Sequence, residues 1–157
     1  MKNKVPKFQY LNCITITTDA SFSKENRTAG YAFIISYSDK RKYGAGPLKK
    51  GKPNNSEEAE VMCIANALTT LVNMDGVASR LVVVNTDCKF AIPKMENPDI
   101  SLPYCYLLVN ALIKRITHEW DCKLEFRHVK AHSGVNDSRS KANEWCDSQA
   151  KFFMKNQ

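Results

Sequence analysis

The sequence predicts an α/β fold in which a five-stranded mixed β-sheet is flanked by α-helices. Three observations predict it. The chain opens with β-branched and aromatic runs joined by short polar turns, the pattern of antiparallel strands. It continues with long stripes of 3.6-residue apolar period separated by short extended segments, the pattern of βαβ crossovers. One of those segments, Leu81 to Val84, is apolar without alternation, as a parallel strand covered on both faces would be. A chain of 157 residues suits one domain, read here as residues 13–157 after a short polar extension, 1–12.

The elements follow in order. Ile14 to Thr18 alternates and is rich in β-branched residues, so it reads as a strand that stops at Asp19-Ala20-Ser21. Gly30 to Ser38 reads as a second strand, and Lys42 to Ala45 returns as a third after the Ser38-Asp39 turn. Gly51 to Asn55 is a breaker cluster. Asn55 or Ser56 then caps a helix with acids in its first turn, where the helix dipole favours them. Val61, Ile64, Ala65, Leu68, Leu71 and Val72 form its core-facing stripe, and Asp75-Gly76 ends it. Leu81 to Val84 leads into Asn85-Thr86-Asp87. Pro93, Pro98 and Pro103 break the next stretch, which has room for a short helix. Tyr104 to Thr117 is a second long helix, Lys123 to Val129 an alternating strand, Lys130 to Ser140 a polar loop, and Asn143 to Met154 a final amphipathic helix.

Composition excludes several classes. A hydrophobic share of 43% and a charged share of 25% are those of a globular protein. No apolar run approaches the roughly 20 residues of a membrane span, and the first ten residues lack the apolar core of a signal peptide. The six cysteines include no C-x-x-C pair, so they read as reduced, mostly buried small hydrophobes of a cytoplasmic protein. The net charge of +7 is unevenly placed: residues 1–56 carry 11 basic and three acidic side chains, residues 57–157 carry 12 and 13. Lys40, Arg41, Lys42, Lys49, Lys50 and Lys52, with no acid among them, suit phosphate contacts or a hairpin kept soluble by lysine.

The acids carry the chemistry. Thr17-Thr18-Asp19 and Asn85-Thr86-Asp87 end two strands alike, and ligands of open α/β sheets bind beyond the carboxyl ends of parallel strands. Two aspartates side by side there would repel, and one would hold a proton unless a divalent cation intervened. Hard oxygen ligands select Mg²⁺ or Mn²⁺. Either aspartate alone could simply open a turn. Glu57, Glu58 or Glu60 on the first long helix could supply a third carboxylate, and periodicity does not choose among them. Asp147, one turn after Asn143 on the last helix, is a fourth candidate.

Taken together, Asp19 in ITITTDASF, Glu60 in SEEAEVMCIANAL, Asp87 in LVVVNTDCKFAI and Asp147 in ANEWCDSQA resemble the Asp-Glu-Asp-Asp set of type 1 ribonucleases H. They fall on the first strand, first helix, fourth strand and last helix, as in that family. HVKAHSG resembles the family's histidine loop, with His132 as its histidine. The resemblance spans roughly residues 13–153, and HVKAH followed by NEWCD is most similar to phage-encoded members. It singles out Glu60 among the three glutamates. Two departures stand out. The loop before Asp147 is longer than in the common bacterial form, and the basic, tryptophan-containing handle of many members is missing from residues 88–103, which hold only Lys89 and Lys94.

The resemblance implies hydrolysis of the RNA strand of RNA–DNA hybrids with two Mg²⁺ ions, Mn²⁺ being an alternative, leaving 5′-phosphate and 3′-hydroxyl ends. Asp19 would bridge both ions, Asp147 would help hold the ion that activates water, and Glu60 and Asp87 the ion at the departing oxygen. His132 would assist proton movement or product release. With no handle, grip on the hybrid would fall to Lys40, Arg41, Lys42, Lys49, Lys50 and Lys52, with Asn54, Asn55, Ser56 and Asn143 nearer the cut. The expected form is a cytoplasmic monomer without membrane contact, in the host cytoplasm if phage-encoded. The alternatives are a DNA-acting nuclease of the same superfamily, such as a junction resolvase, and a non-catalytic hybrid-binding module.

Overall fold

β1 (Ile14–Ser23) is the strand around which the sheet is organised. On one side it pairs antiparallel with β2 (Thr28–Tyr37) along its whole length, and β2 pairs antiparallel with β3 (Lys40–Leu48). On the other side it pairs parallel with β4 (Leu81–Thr86), which pairs parallel with β5 (Lys123–His128). The order β3-β2-β1-β4-β5 is the mixed five-stranded sheet expected. The helices are α1 (Ser56–Val72), α2 (Ile92–Glu96), α3 (Tyr104–Trp120) and α4 (Ser138–Lys155). This computed structural model describes residues 13–129 and 138–157, so the extension 1–12 and His132 lie outside the described residues.

The two faces of the sheet are packed differently. One face turns Ile14, Ile16, Phe33, Ile35, Val82 and Val84 against Ile64, Leu68 and Leu71 of α1 and Val109, Leu112 and Ile116 of α3. Full burial of each such side chain contributes about 1.5–3 kcal/mol. On the other face Ala32 and Ile34 meet Ala142 and Cys146 of α4. Gly30 shows how close that contact is. A Cβ there would run into the Ala150 carbonyl and sit 2.7 Å from the Met154 amide. With no side chain on Gly30, α4 can lie directly on β2.

Several boundaries differ from the sequence reading. β1 does not stop at Asp19. It runs on to Ser23, because β2 satisfies its backbone residue by residue, with Asp19 opposite Ala32 and Ser23 opposite Thr28. β3 is longer than Lys42–Ala45 for the same reason. α4 begins at Ser138, so Ser138–Ser140 belong to the helix and not to the polar loop. α1 starts where its cap predicts: Asn55 Oδ1 accepts from the Glu58 amide at 2.8 Å, and the Glu58 side chain accepts in turn from Asn54 and Asn55. All six cysteines are unpaired, and Cys63, Cys105 and Cys146 are buried as expected, whereas Cys13 is exposed.

Gly30→Ala should lower stability by about 1–3 kcal/mol, the usual cost of forcing a methyl group into a closed contact. Urea unfolding followed by circular dichroism measures it, and an unchanged midpoint would show that α4 can move off β2 freely.

Candidate active site

The parallel register of β1 with β4 decides where the carboxylates lie. Its last pair is Thr17 with Asn85. Two residues further on come Asp19, still within β1, and Asp87, just past the end of β4, so the two aspartates lie side by side where the strands part. Thr18 and Thr86, one residue before each, both donate to the same acceptor. Their hydroxyls lie 2.8 Å and 2.6 Å from Glu60 Oε2. Glu60 reaches them from the second turn of α1 and is buried.

Glu60 has a second oxygen, Oε1, that is buried and has no hydrogen-bond partner. An ionised carboxylate oxygen in that condition is costly. Asp19, Glu60 and Asp87 each bring a carboxylate oxygen into a group whose members lie within 4.8 Å of one another. Asp147, on α4, approaches from the opposite face, near enough that its charge and side chain act on the Asp19 carboxyl. Burial, then the charges of Glu60, Asp87 and Asp147, push the Asp19 carboxyl up to about 8. Burial and the Asp87 charge push Glu60 up to about 7 against the opposing hydroxyls of Thr86 and Thr18.

These features fit a divalent cation. Three hard oxygen donors converge, one of them has no other partner, and their mutual repulsion is what a dication removes. Asp147 has a competing cation of its own in Lys151, 3.0 Å away and one turn along α4.

Other residues singled out in the sequence are dispersed. Lys40, Arg41 and Lys42 sit across the sheet from Tyr37, Ser36 and Ile35, level with the start of β1. Leu48 is level with Ala29 and Phe22, beyond Asp19. The basic block is therefore cut in two by a strand, Lys42 and Leu48 being roughly 20 Å apart at about 3.4 Å per residue. Lys49, Lys50 and Lys52 belong to the end toward which β1 runs past Asp19. There the β3–α1 loop meets the β1–β2 turn: the Gly51 amide donates to the Arg27 carbonyl, and the Arg27 guanidinium reaches Asn54 Oδ1 at 3.5 Å. Lys24 and Arg27 thus join that patch, which Glu25 alone opposes within the turn. Asn54, Asn55 and Ser56 are exposed at the start of α1, and Asn143 is partly exposed one turn before Asp147. Glu57 is paired with Lys94 at 2.9 Å and accepts from the Tyr106 hydroxyl.

Sequence reasoning missed Thr18 and Thr86 as the holders of Glu60. The signal lies in the repeated Thr-Asp dipeptide, whose threonines matter as much as its aspartates. Lys24 and Arg27 carried no local signal, because their patch exists only once two loops meet.

A family model described as RNase H matches residues 12–154. Solved structures share the fold at low identity. The N-terminal RNase H domain of rv2228c from Mycobacterium tuberculosis, determined as a fusion with maltose-binding protein, superposes with a TM-score of 0.67 at 17% identity, covering 90% of this chain and 98% of that one. RNase H1 from the halophilic archaeon Halobacterium salinarum NRC-1 gives 0.63 at 11% identity, covering 93% and 100%. LC11-RNase H1, solved in complex with an RNA/DNA hybrid, gives 0.64 at 18% identity, covering 90% and 96%. No curated protein sequence matches.

The raised carboxyl groups make a pH prediction. A group that holds its proton more tightly folded than unfolded stabilises the fold at low pH and loses that contribution as pH rises through its folded value. Asp19, at about 8, and Glu60, at about 7, should therefore make the ion-free protein less stable between about pH 4 and pH 8. Thermal unfolding in chelator checks this, and Glu60→Gln should flatten the decline. Added Mg²⁺ or Mn²⁺ should raise the midpoint more at pH 8 than at pH 5. An equal rise at both would contradict the electrostatic account.

Proposed function

Because this chain belongs to the RNase H family and is a ribonuclease H, we propose that it hydrolyses the RNA strand of RNA–DNA hybrids with two divalent cations, leaving 5′-phosphate and 3′-hydroxyl ends. The observation that carries the reading is the convergence of Asp19, Glu60 and Asp87, with the second Glu60 oxygen left without a partner. Divalent cations in such a site activate the attacking water and offset charge on the leaving oxygen.

The protein's own part is to place and hold the ligands. Asp19, on a strand paired on both sides up to Thr17, is the rigid member. Thr18 and Thr86 fix Glu60 Oε2, which leaves Oε1 for a cation. Asp147 reaches the cluster through Asp19 from the opposite face of the sheet and completes the set. His132 is proposed to assist proton movement or product release.

Hybrid contacts are assigned first to the patch beyond Asp19. Lys49, Lys50 and Lys52, with Lys24 and Arg27, would meet phosphates of the duplex. Asn54, Asn55 and Ser56 would test for the 2′-hydroxyl that marks RNA, and Asn143 would meet the strand beside Asp147. Lys40, Arg41 and Lys42 would meet the duplex further from the cut. The reading includes a monomer acting in the cytoplasm, where its six unpaired thiols stay reduced.

Asp87→Asn should abolish cleavage while hybrid binding persists, measured on an end-labelled hybrid beside double-stranded DNA and a four-way junction. Equal cutting of double-stranded DNA, cutting of the junction, or an active Asp87→Asn protein would overturn the reading. Replacing Lys49, Lys50 and Lys52 by alanine should weaken hybrid binding and reduce the slope of log affinity against log salt by up to about 3. Replacing Lys40, Arg41 and Lys42 should change it less. A reversed order would move the duplex to the other end of β3.

A further inference from the structure

Once the resemblance selects Glu60, Glu57 is left as a dipole or local charge of α1, but the structure gives it a more specific place. Its carboxylate takes a hydrogen bond from Tyr106 of α3 and an ion pair from Lys94 of α2 at 2.9 Å. Burial would raise its carboxyl, but the Tyr106 hydroxyl and the Lys94 ammonium outweigh burial and hold it below the ordinary glutamate range. The Glu57 carboxylate is therefore charged at neutral pH. The Lys94 ammonium also lies 6.0 Å from the Tyr106 ring centre. Three elements meet at one carboxylate.

The position of that meeting point matters. Glu57 stands three residues before Glu60 on α1, close to one helical turn. Lys94 stands seven residues after Asp87, through a 3₁₀ turn (Lys89–Ala91) and the first turn of α2. The ion pair thus closes a ring: from Glu60 back along α1 to Glu57, across to Lys94, and back along the chain to Asp87. The rest of α2 is also fixed, since Met95 is buried in the core and Asn110 donates to the Met95 and Glu96 carbonyls at 3.1 and 3.0 Å.

We infer that Glu57, clamped by Lys94 and Tyr106, is a positioning residue that sets the separation of Glu60 and Asp87 and thereby the cation affinity of the site. β4 ends at Thr86, so sheet pairing does not hold Asp87 itself. The clamp supplies a second anchor on the other side of Asp87. It also withdraws Lys94, one of the two basic residues of the segment, from any role as a free phosphate contact.

The inference rests on the cation-dependent reading above, and the experiment separates the two. Calorimetric titration of Mn²⁺ into the whole chain, without nucleic acid, is run on wild type, Glu57→Gln, Tyr106→Phe, Lys94→Met and Lys94→Arg. Glu57→Gln, Tyr106→Phe and Lys94→Met should each weaken cation binding by roughly tenfold or more, the scale at which outer-shell changes act. Lys94→Arg should restore the wild-type affinity. In cleavage assays the three weakened variants should need more cation for half-maximal rate, while KM for the hybrid at saturating cation stays within twofold. Wild-type cation affinity in all variants, with wild type itself binding normally, would overturn the clamp alone. A raised KM with unchanged cation affinity would also overturn it, because Glu57 or Lys94 would then meet the nucleic acid directly. No cation binding by wild type would overturn the reading beneath both. Lys94→Met alters a half-exposed side chain, so it carries the test if another variant fails to fold.

Discussion

The functional end of the molecule depends on the parallel pairing of β1 with β4. That pairing sets two Thr-Asp dipeptides level, one from residues 18 and 19 and one from residues 86 and 87. A slip of one strand by one residue would turn its threonine to the opposite face and break the double hydrogen bond to Glu60. The register is in turn held by Ile14, Ile16, Val82 and Val84, which are buried beneath α1 and α3 on a single face. The apolar core and the acidic site are therefore specified by the same strand alignment, one by alternate residues along it and the other by its end.

This arrangement works against stability in the ion-free protein. Glu60 is buried as a carboxylate, and Asp19 lies within reach of three other acids. Two hydroxyls satisfy one oxygen of Glu60, and the other is left open. Such under-satisfied polar groups in an otherwise well-packed interior mark a place where the fold gives up stability for chemistry. The dense packing of α1 and α3 on one face and the direct contact of α4 on the other offset that loss. They also fix the two helices that carry Glu60 and Asp147.

The acids and the bases of the chain are organised by different rules. The acids of the site gather because strand ends and a helix turn converge on one point. The bases are dispersed along an edge strand and two loops. Lys40, Arg41 and Lys42, which share one acid-free stretch of sequence with Lys49, Lys50 and Lys52, are separated from them by the length of β3. Lys24 and Arg27, distant in sequence, are joined to them where the Gly51 amide meets the Arg27 carbonyl. Charge density along the chain is thus a poor guide to charge density in space wherever an extended strand intervenes.

Legible in the sequence alone were the element order, a cap of α1 at Asn55 or Ser56, the inner position of the Leu81–Val84 strand and the candidates Asp19, Asp87 and Asp147. These are encoded by periodicity, capping chemistry and strand-end acids, all of which act within a few residues. Choosing Glu60 among three glutamates took the resemblance to a family, because Glu57, Glu58 and Glu60 share a helix turn and differ only in what faces them. The tertiary structure decided that difference: Glu60 meets Thr18 and Thr86, Glu58 folds back on the cap, and Glu57 meets Lys94 and Tyr106. It also decided that β1 continues past Asp19, because the backbone partners that extend it belong to β2. In each case the deciding partner is a residue distant in the chain, and no local pattern records it.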